Sequence, residues 1–206
     1  MGSFNYVASL LQGASHDDIT PFTSSRPELK CIFRDVVFKE ILDSFEGKPI
    51  EVFQVGAIES MEDQFRLGSG WSDIFWGNYI KRNGGKLVIV DIDINHIANS
   101  NFLAQNLQYE VHLHIADAAR VIKEGFDVYY LDGADISYAE DAHDQTMNQF
   151  KIIENTKSIV LVDDVPTKAR KLKDYVIANG LARNWIVKEY SCGNGMMTID
   201  MRNQNV

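Results

Sequence analysis

Three aspartates stand directly behind two short apolar runs: Asp132 closes Asp127 to Leu131, and Asp163-Asp164 closes Ser158 to Val162. If both runs are strands of one sheet, the three carboxylates meet at one edge of it and raise one another's pKa. A divalent cation is the simplest way to offset that repulsion, and hard oxygen donors suit magnesium or calcium. Neither motif contains a lysine or arginine that could do the same. The plainer alternative is that these acids cap the helices that follow and stay solvated.

Other residues stand at comparable places. Asp91 ends the run Leu87-Val88-Ile89-Val90, and an ionised carboxylate there can accept both hydroxyl protons of a ribose. Gly56 follows Ile50 to Val55 and lets the backbone approach a ligand closely, while Gly68-Ser69-Gly70 offers N–H groups ahead of the next helix. His143 is the histidine nearest the Asp132 motif in sequence and has a suitable unperturbed pKa for a general base. Phe65, Trp71, Phe75, Trp76 and Tyr79 can wall a pocket, although their helical spacing suits core packing better. A dinucleotide fold needs G-x-G-x-x-G at its first turn. Here Gly56 is followed by Ala57, Ile58, Glu59, Ser60 and Met61, which disfavours a nicotinamide or flavin cofactor.

The elements that must position these residues alternate along the chain. The first 27 residues mix Gly, Ser, Asp, Thr and Pro and read as a loose arm. Apolar spacing then predicts a helix from Glu28 to Phe45, a strand over Ile50–Val55, a helix over Trp71–Lys81 and a buried strand over Leu87–Val90. A helix over Ile94–Asn106, a strand over Val111–Ile115, a short helix over Ala118–Lys123 and a strand over Asp127–Leu131 follow. The remainder reads as a helix over Ala139–Glu154, a strand over Ser158–Val162 and a helix over Lys168–Ala178 stopped by Asn179-Gly180. The cations from Lys168 to Lys173 read as that helix's solvated face. Two last strands, Trp185–Tyr190 and Met196–Met201, flank turn residues and form an antiparallel hairpin. Such alternation predicts a mostly parallel sheet covered on both faces, with ligands bound beyond the carboxyl ends of its strands.

Composition sets the outer bounds. At 206 residues, 45% hydrophobic and 24% charged, the chain is one ordinary globular domain and not a disordered or fibrous one. A formal charge of -9 argues against a nucleic-acid or anionic-membrane partner. Cys31 and Cys192 are far apart and form no CxxC pair, which fits reduced cytosol, and no apolar run approaches the roughly 18 residues of a membrane span. A cytoplasmic protein is expected.

The residues from about Ile50 to the end resemble class I S-adenosylmethionine-dependent methyltransferases, and within them the group similar to catechol O-methyltransferase. Gln54-Val55-Gly56 and Gly70-Trp71-Ser72 match the family's acid-x-Gly and Gly-x-Ser motifs, with Glu59 to Leu67 as an insertion between them. The family's ribose-binding acid falls on Asp91 and its adenine-side motif on Ala116-Asp117-Ala118. The resemblance thus implies cofactor contacts at Gln54, Gly56, Gly70, Ser72, Asp91, Asp117 and Ala118. It also implies a divalent metal at Asp132, Asp163 and Asp164, with Asp132 in the catalytic site. Two departures stand out: Gln54 occupies an acid's place and Ala116 a glycine's. Asp135 stands where the metal-dependent relatives carry a lysine, which leaves His143 as the candidate base.

The expected architecture is α/β, a Rossmann-like mostly parallel seven-stranded sheet with a C-terminal antiparallel hairpin and helices on both faces. Residues 1–48 would form an arm and helix ahead of a methyltransferase-like domain over 49–206. The implied activity is O-methylation of a small hydroxylated acceptor, possible metal assistance included, with homo-oligomerisation left open. A non-catalytic nucleotide or nucleotide-sugar binding module is the alternative, and an oxidoreductase a third.

Overall fold

The computed structural model describes residues 32–61, 72–133, 139–190 and 195–204. The N-terminal arm, the glycines of the 68–70 stretch, Phe65, Trp71, Asp135 and the 191–194 turn lie outside them. Among the described residues the chain runs α1 (Ile32–Asp43), β1 (Ile50–Val55), α2 (Ser72–Asn83), β2 (Gly85–Asp91), α3 (Ile94–Leu107) and β3 (Val111–Ile115). It continues with α4 (Ala118–Val121), β4 (Val128–Leu131), α5 (Ala139–Ile153), β5 (Ile159–Val162), α6 (Val165–Lys168), α7 (Arg170–Arg183), β6 (Ile186–Tyr190) and β7 (Met196–Asp200). No helix among these residues is long and apolar enough to cross a membrane.

The seven strands form one sheet in the order β3-β2-β1-β4-β5-β7-β6. The first five are parallel, and β7 runs antiparallel to both β5 and β6, which makes the expected C-terminal hairpin. Alternation along each strand divides the core into two layers. Val52, Leu87, Val128, Tyr130 and Leu161 face a layer formed with α1, α2 and α3. Phe53, Val55, Val90, Tyr129, Leu131 and Val162 face Ala118 of α4, Phe150 of α5, Val165 of α6 and Leu172 of α7. The central strands β4 and β5 are buried at every position, as expected for strands covered on both sides.

Aromatic packing ties the first layer to the sheet. Phe38 of α1 stacks on Phe75 of α2 with ring centroids 4.5 Å apart, and meets Trp76 edge-on at 4.9 Å and Tyr130 of β4 edge-on at 5.7 Å. Phe75, Trp76 and Tyr79 are therefore packing residues of α1 and α2, and the Tyr79 hydroxyl donates to the Lys48 carbonyl.

The structure differs from the sequence expectation most clearly between Asp164 and Asn184. The expected helix over Lys168–Ala178 is two helices, α6 and α7, broken at Ala169 with φ -137°. Asn179-Gly180 does not stop α7. Gly180 is buried opposite Trp185 and Val187, and its carbonyl accepts the N–H groups of both Asn184 and Trp185. The helix ends at Asn184, which takes the left-handed conformation at φ 59°. A close helix-to-strand approach overrides the local turn preference of Asn-Gly.

Candidate functional site

The parallel register places the candidate residues in one row. Val90, Val55, Leu131 and Val162 lie side by side on β2, β1, β4 and β5. The residue after each is Asp91, Gly56, Asp132 and Asp163, on neighbouring strands about 4.8 Å apart. The hydrogen-bond ladder runs one residue beyond the strands: Gly56 N donates to Val90 O at 2.9 Å, Asp132 N to Val55 O at 3.1 Å and Asp163 N to Leu131 O at 3.2 Å. The main chain, more than any side chain, fixes where these residues stand.

Gly56 and Gly133 let two exit loops touch. Gly56 has φ +94°, and a Cβ on it would lie 2.9 Å from the Asp132 carbonyl oxygen. A Cβ on Gly133 would lie 2.2 Å from Cγ1 of Val55. The two glycines make a flat floor beside a cleft of about 270 Å³, lined by Gly56, Asp91, Ile92, Asp117, Ala118, Gly133 and Gln149 among others. Asp91 rims this cleft with its carboxylate already oriented: Oδ2 accepts from Ala57 N at 2.9 Å, and Oδ1 from Asp93 N at 2.8 Å. Oδ2 also meets His96 Nδ1 at 3.3 Å, so the acceptor capacity left toward the cleft is chiefly the second lone pair of Oδ1. Asp117 caps α4 by accepting from Ala119 N at 3.0 Å, and Ala118 lies buried behind it.

Gln54, fully buried on β1, is held by two bonds. Its Nε2 donates to Gly56 O at 2.7 Å and to Oδ1 of Asp73 at 2.5 Å, while its Oε1 and the Asp73 Oδ2 have no hydrogen-bond partner among the described residues. The sequence reading missed Asp73. Its signal was an acid on the inward stripe of α2, three and seven residues ahead of Trp76 and Ile80, directly after Ser72. Burial pushes its carboxyl up to about 6, against the lowering effect of hydrogen bonds from Ser100 and Gln54. A carboxyl stands beside Gln54 after all, on the adjoining helix.

The Asp73 shift has a signed consequence. Its folded value of about 6 lies above the ordinary 3.8, so between them the folded state holds the proton more tightly than the unfolded state. Stability therefore falls as pH rises through this window, by at most about 3 kcal/mol, and the cost is fully present above the folded value. Asp73→Asn keeps an acceptor for Gln54 and removes the charge. We predict that it flattens the loss between pH 4 and 6, by about that amount, and raises stability at pH 7.5, read by urea unfolding across pH. An identical pH slope in parent and variant would refute the assignment.

The acidic cluster carries a counter-ion that the sequence reading assigned elsewhere. Lys168, expected on a solvated face, is only 9% exposed. Its Nζ lies 3.0 Å from Oδ1 of Asp132 and 3.0 Å from Oδ2 of Asp164. Burial pulls this ammonium down, and the two carboxylates more than compensate, so its pKa stands above the ordinary lysine value. The Tyr130 hydroxyl sits between the other carboxylate oxygens, 3.0 Å from Oδ2 of Asp132 and 2.7 Å from Oδ2 of Asp163. Asp163 Oδ1 accepts from Asp164 N at 2.9 Å. Asp164 itself adopts φ 50°, a conformation that Asp and Asn tolerate better than most residues, and turns its side chain to Lys168 without capping α6. Among the described residues no group of three His, Cys, Asp or Glu side chains is arranged to hold a metal ion. The donor set does not fit the expected divalent cation, because an ammonium bridges two of the three ligands and Asp163 is turned into the protein.

Of the remaining candidates, Ser72 is buried at the start of α2, and Gly70 lies outside the described residues. His143 on α5 uses its Nδ1 lone pair to accept the Arg170 N–H at 3.1 Å, which caps the start of α7. The neutral ring then carries its proton on Nε2.

No protein-family model matches the sequence, and no curated protein matches it either. Solved structures do match in fold. The SAH-bound methyltransferase PaMTH1 of Podospora anserina is 15% identical, with TM-score 0.55 over 97% of this chain and 87% of its own. A candidate caffeoyl-CoA O-methyltransferase from Staphylococcus aureus is 12% identical, with TM-score 0.56 over 96% and 99%. The 16S rRNA methylase RmtB is 13% identical, with TM-score 0.52 over 96% and 73%. The fold is the Rossmann-like fold of class I S-adenosylmethionine-dependent methyltransferases, as the strand order also states.

Proposed function

We propose that this chain is an S-adenosylmethionine-dependent methyltransferase that acts on an oxygen of a small hydroxylated acceptor. The observation that carries the reading is the cleft over the carboxyl ends of β1 and β2, where Gly56 leaves a floor without side chains and Asp91 holds an oriented carboxylate. Bound there, the cofactor supplies an electrophilic sulfonium methyl. Asp91 would bind its ribose hydroxyls, Asp117 and Ala118 would border its adenine, and Gly56 would border its amino-acid end. Asp132, centred in the row, orients the acceptor hydroxyl, and the cleft walls exclude water from the in-line approach. The reading gives His143 a structural task, because the lone pair that a base would use is engaged by α7.

The choice of a small acceptor is supported by the formal charge of -9, which disfavours the phosphate-rich substrates that some proteins of this fold act on. The test is calorimetric titration with S-adenosylhomocysteine. Asp91→Ala is expected to weaken binding by about 10- to 150-fold, the worth of roughly 1.5–3 kcal/mol in hydrogen bonds to a charged group. Asp91→Asn, which keeps one acceptor, should fall between. Unchanged affinity in Asp91→Ala, or binding of a nucleotide sugar in place of the homocysteine product, would overturn the reading in favour of a binding module.

A further inference from the structure

We infer that Lys168 is the resident cation of the acidic row, closing it to divalent metal and positioning Asp132 for the acceptor; the positioning role rests on the methyltransferase reading. Three observations carry it. The ammonium lies equidistant, at 3.0 Å, from one oxygen each of Asp132 and Asp164, the place where a shared metal would need its ligands to converge. Its side chain is 11% exposed, and the two carboxylates are 15% and 18% exposed, so this is an enclosed pair and not a surface contact that solvent screens. Asp163 has both oxygens engaged, one by Tyr130 and one by the Asp164 N–H. Metal entry would have to break those bonds and expel the ammonium together.

The backbone is built around the same contact. Lys168 is the last residue of a one-turn helix whose first turn contains Pro166, and its N–H donates to Asp164 O at 2.8 Å. Asp164 and Lys168 therefore face each other four residues apart on that turn. The break at Ala169 separates α6 from α7, so the one-turn α6 ends on the lysine itself. Two of the three ammonium N–H groups point to carboxylates. Among the described residues the third meets no acceptor, which leaves a donor available to an acceptor's oxygen.

The experiment is manganese titration of the full chain followed by electron paramagnetic resonance, with magnesium competition. The parent protein is expected to show no stoichiometric site, and Lys168→Arg, which keeps the charge, should behave the same way. Lys168→Met removes the charge while keeping a comparable stem, and should bind manganese about tenfold or more tightly than the parent, since Asp132 and Asp164 then lose this cation from beside them. A one-to-one manganese site in the parent that Asp163→Asn abolishes would overturn the proposal. So would a folded Lys168→Met with no gain over the parent. The titration needs no cofactor, so it can succeed where S-adenosylhomocysteine fails to bind, and the two readings fail separately. For positioning, the readout is the cofactor-saturated rate: Lys168→Arg should retain it within a few-fold and Lys168→Met should lower it with little change in S-adenosylhomocysteine affinity.

Discussion

Gly56→Ala is expected to destabilise the protein by about 2–4 kcal/mol and to remove most of its cofactor affinity. The new methyl would meet the Asp132 carbonyl oxygen at 2.9 Å and its carbon at 3.2 Å, on a backbone whose φ of +94° already disfavours a side chain. That carbonyl has little room to yield, because the Asp132 N–H is bonded to Val55 O. Gly125 supplies the control: its φ is +108°, yet among the described residues nothing lies within 4 Å of where a Cβ would stand. Gly125→Ala should therefore cost only the backbone term of about 1–2 kcal/mol and leave the cleft unaffected. Urea unfolding of both variants separates clash from conformational strain. Equal losses would show that the β1 and β4 loops do not rest on Gly56.

Lys168→Met is expected to cost about 3–5 kcal/mol at pH 7.5, the usual consequence of leaving buried carboxylates without their partner. The sign with pH follows from the raised lysine pKa. The contribution is fully present below the ordinary value of 10.5 and is lost only as pH rises through the higher folded value, so it stays constant across the physiological range. Adding Asp132→Asn to Lys168→Met should restore part of the loss, because it removes one of the stranded charges. Magnesium should restore another part in Lys168→Met alone and nothing in the parent. If Lys168→Met unfolds at the parent's midpoint, the ammonium contributes no stability and the cluster is solvated.

Much of the fold was legible because the parallel strands are short, apolar and closed by residues that end them. β1 and β3 have the bounds expected from periodicity, β2 is longer by two residues at its start and one at its end, and the other strands differ by one residue at one end. The row of Asp91, Gly56, Asp132 and Asp163 follows from that register, since each directly follows one of the side-by-side residues Val90, Val55, Leu131 and Val162. The site's chemistry was harder to read, because it depends on side chains that cross between elements. Lys168 sits in a cationic run, and only its place four residues after Asp164 distinguished it from Lys171, which lies on the surface against Asp144. Asp73 stands in the first turn of α2, where an acid ordinarily meets the helix dipole from solvent, and only its place on the inward stripe sets it apart. Gly180 shows the opposite error: a strong local stop signal gave way to packing against Trp185 and Val187.

The central claim is that the carboxyl ends of β1, β2 and β3 hold the cofactor, and amide hydrogen exchange with and without saturating S-adenosylhomocysteine tests it most directly. The account predicts slowed exchange at Gly56 to Ile58, Asp91 to Asp93 and Ala116 to Ala119, with the hairpin of β6 and β7 unchanged. Protection confined to other segments, or no protection while the ligand is shown to be in excess over the protein, would contradict it.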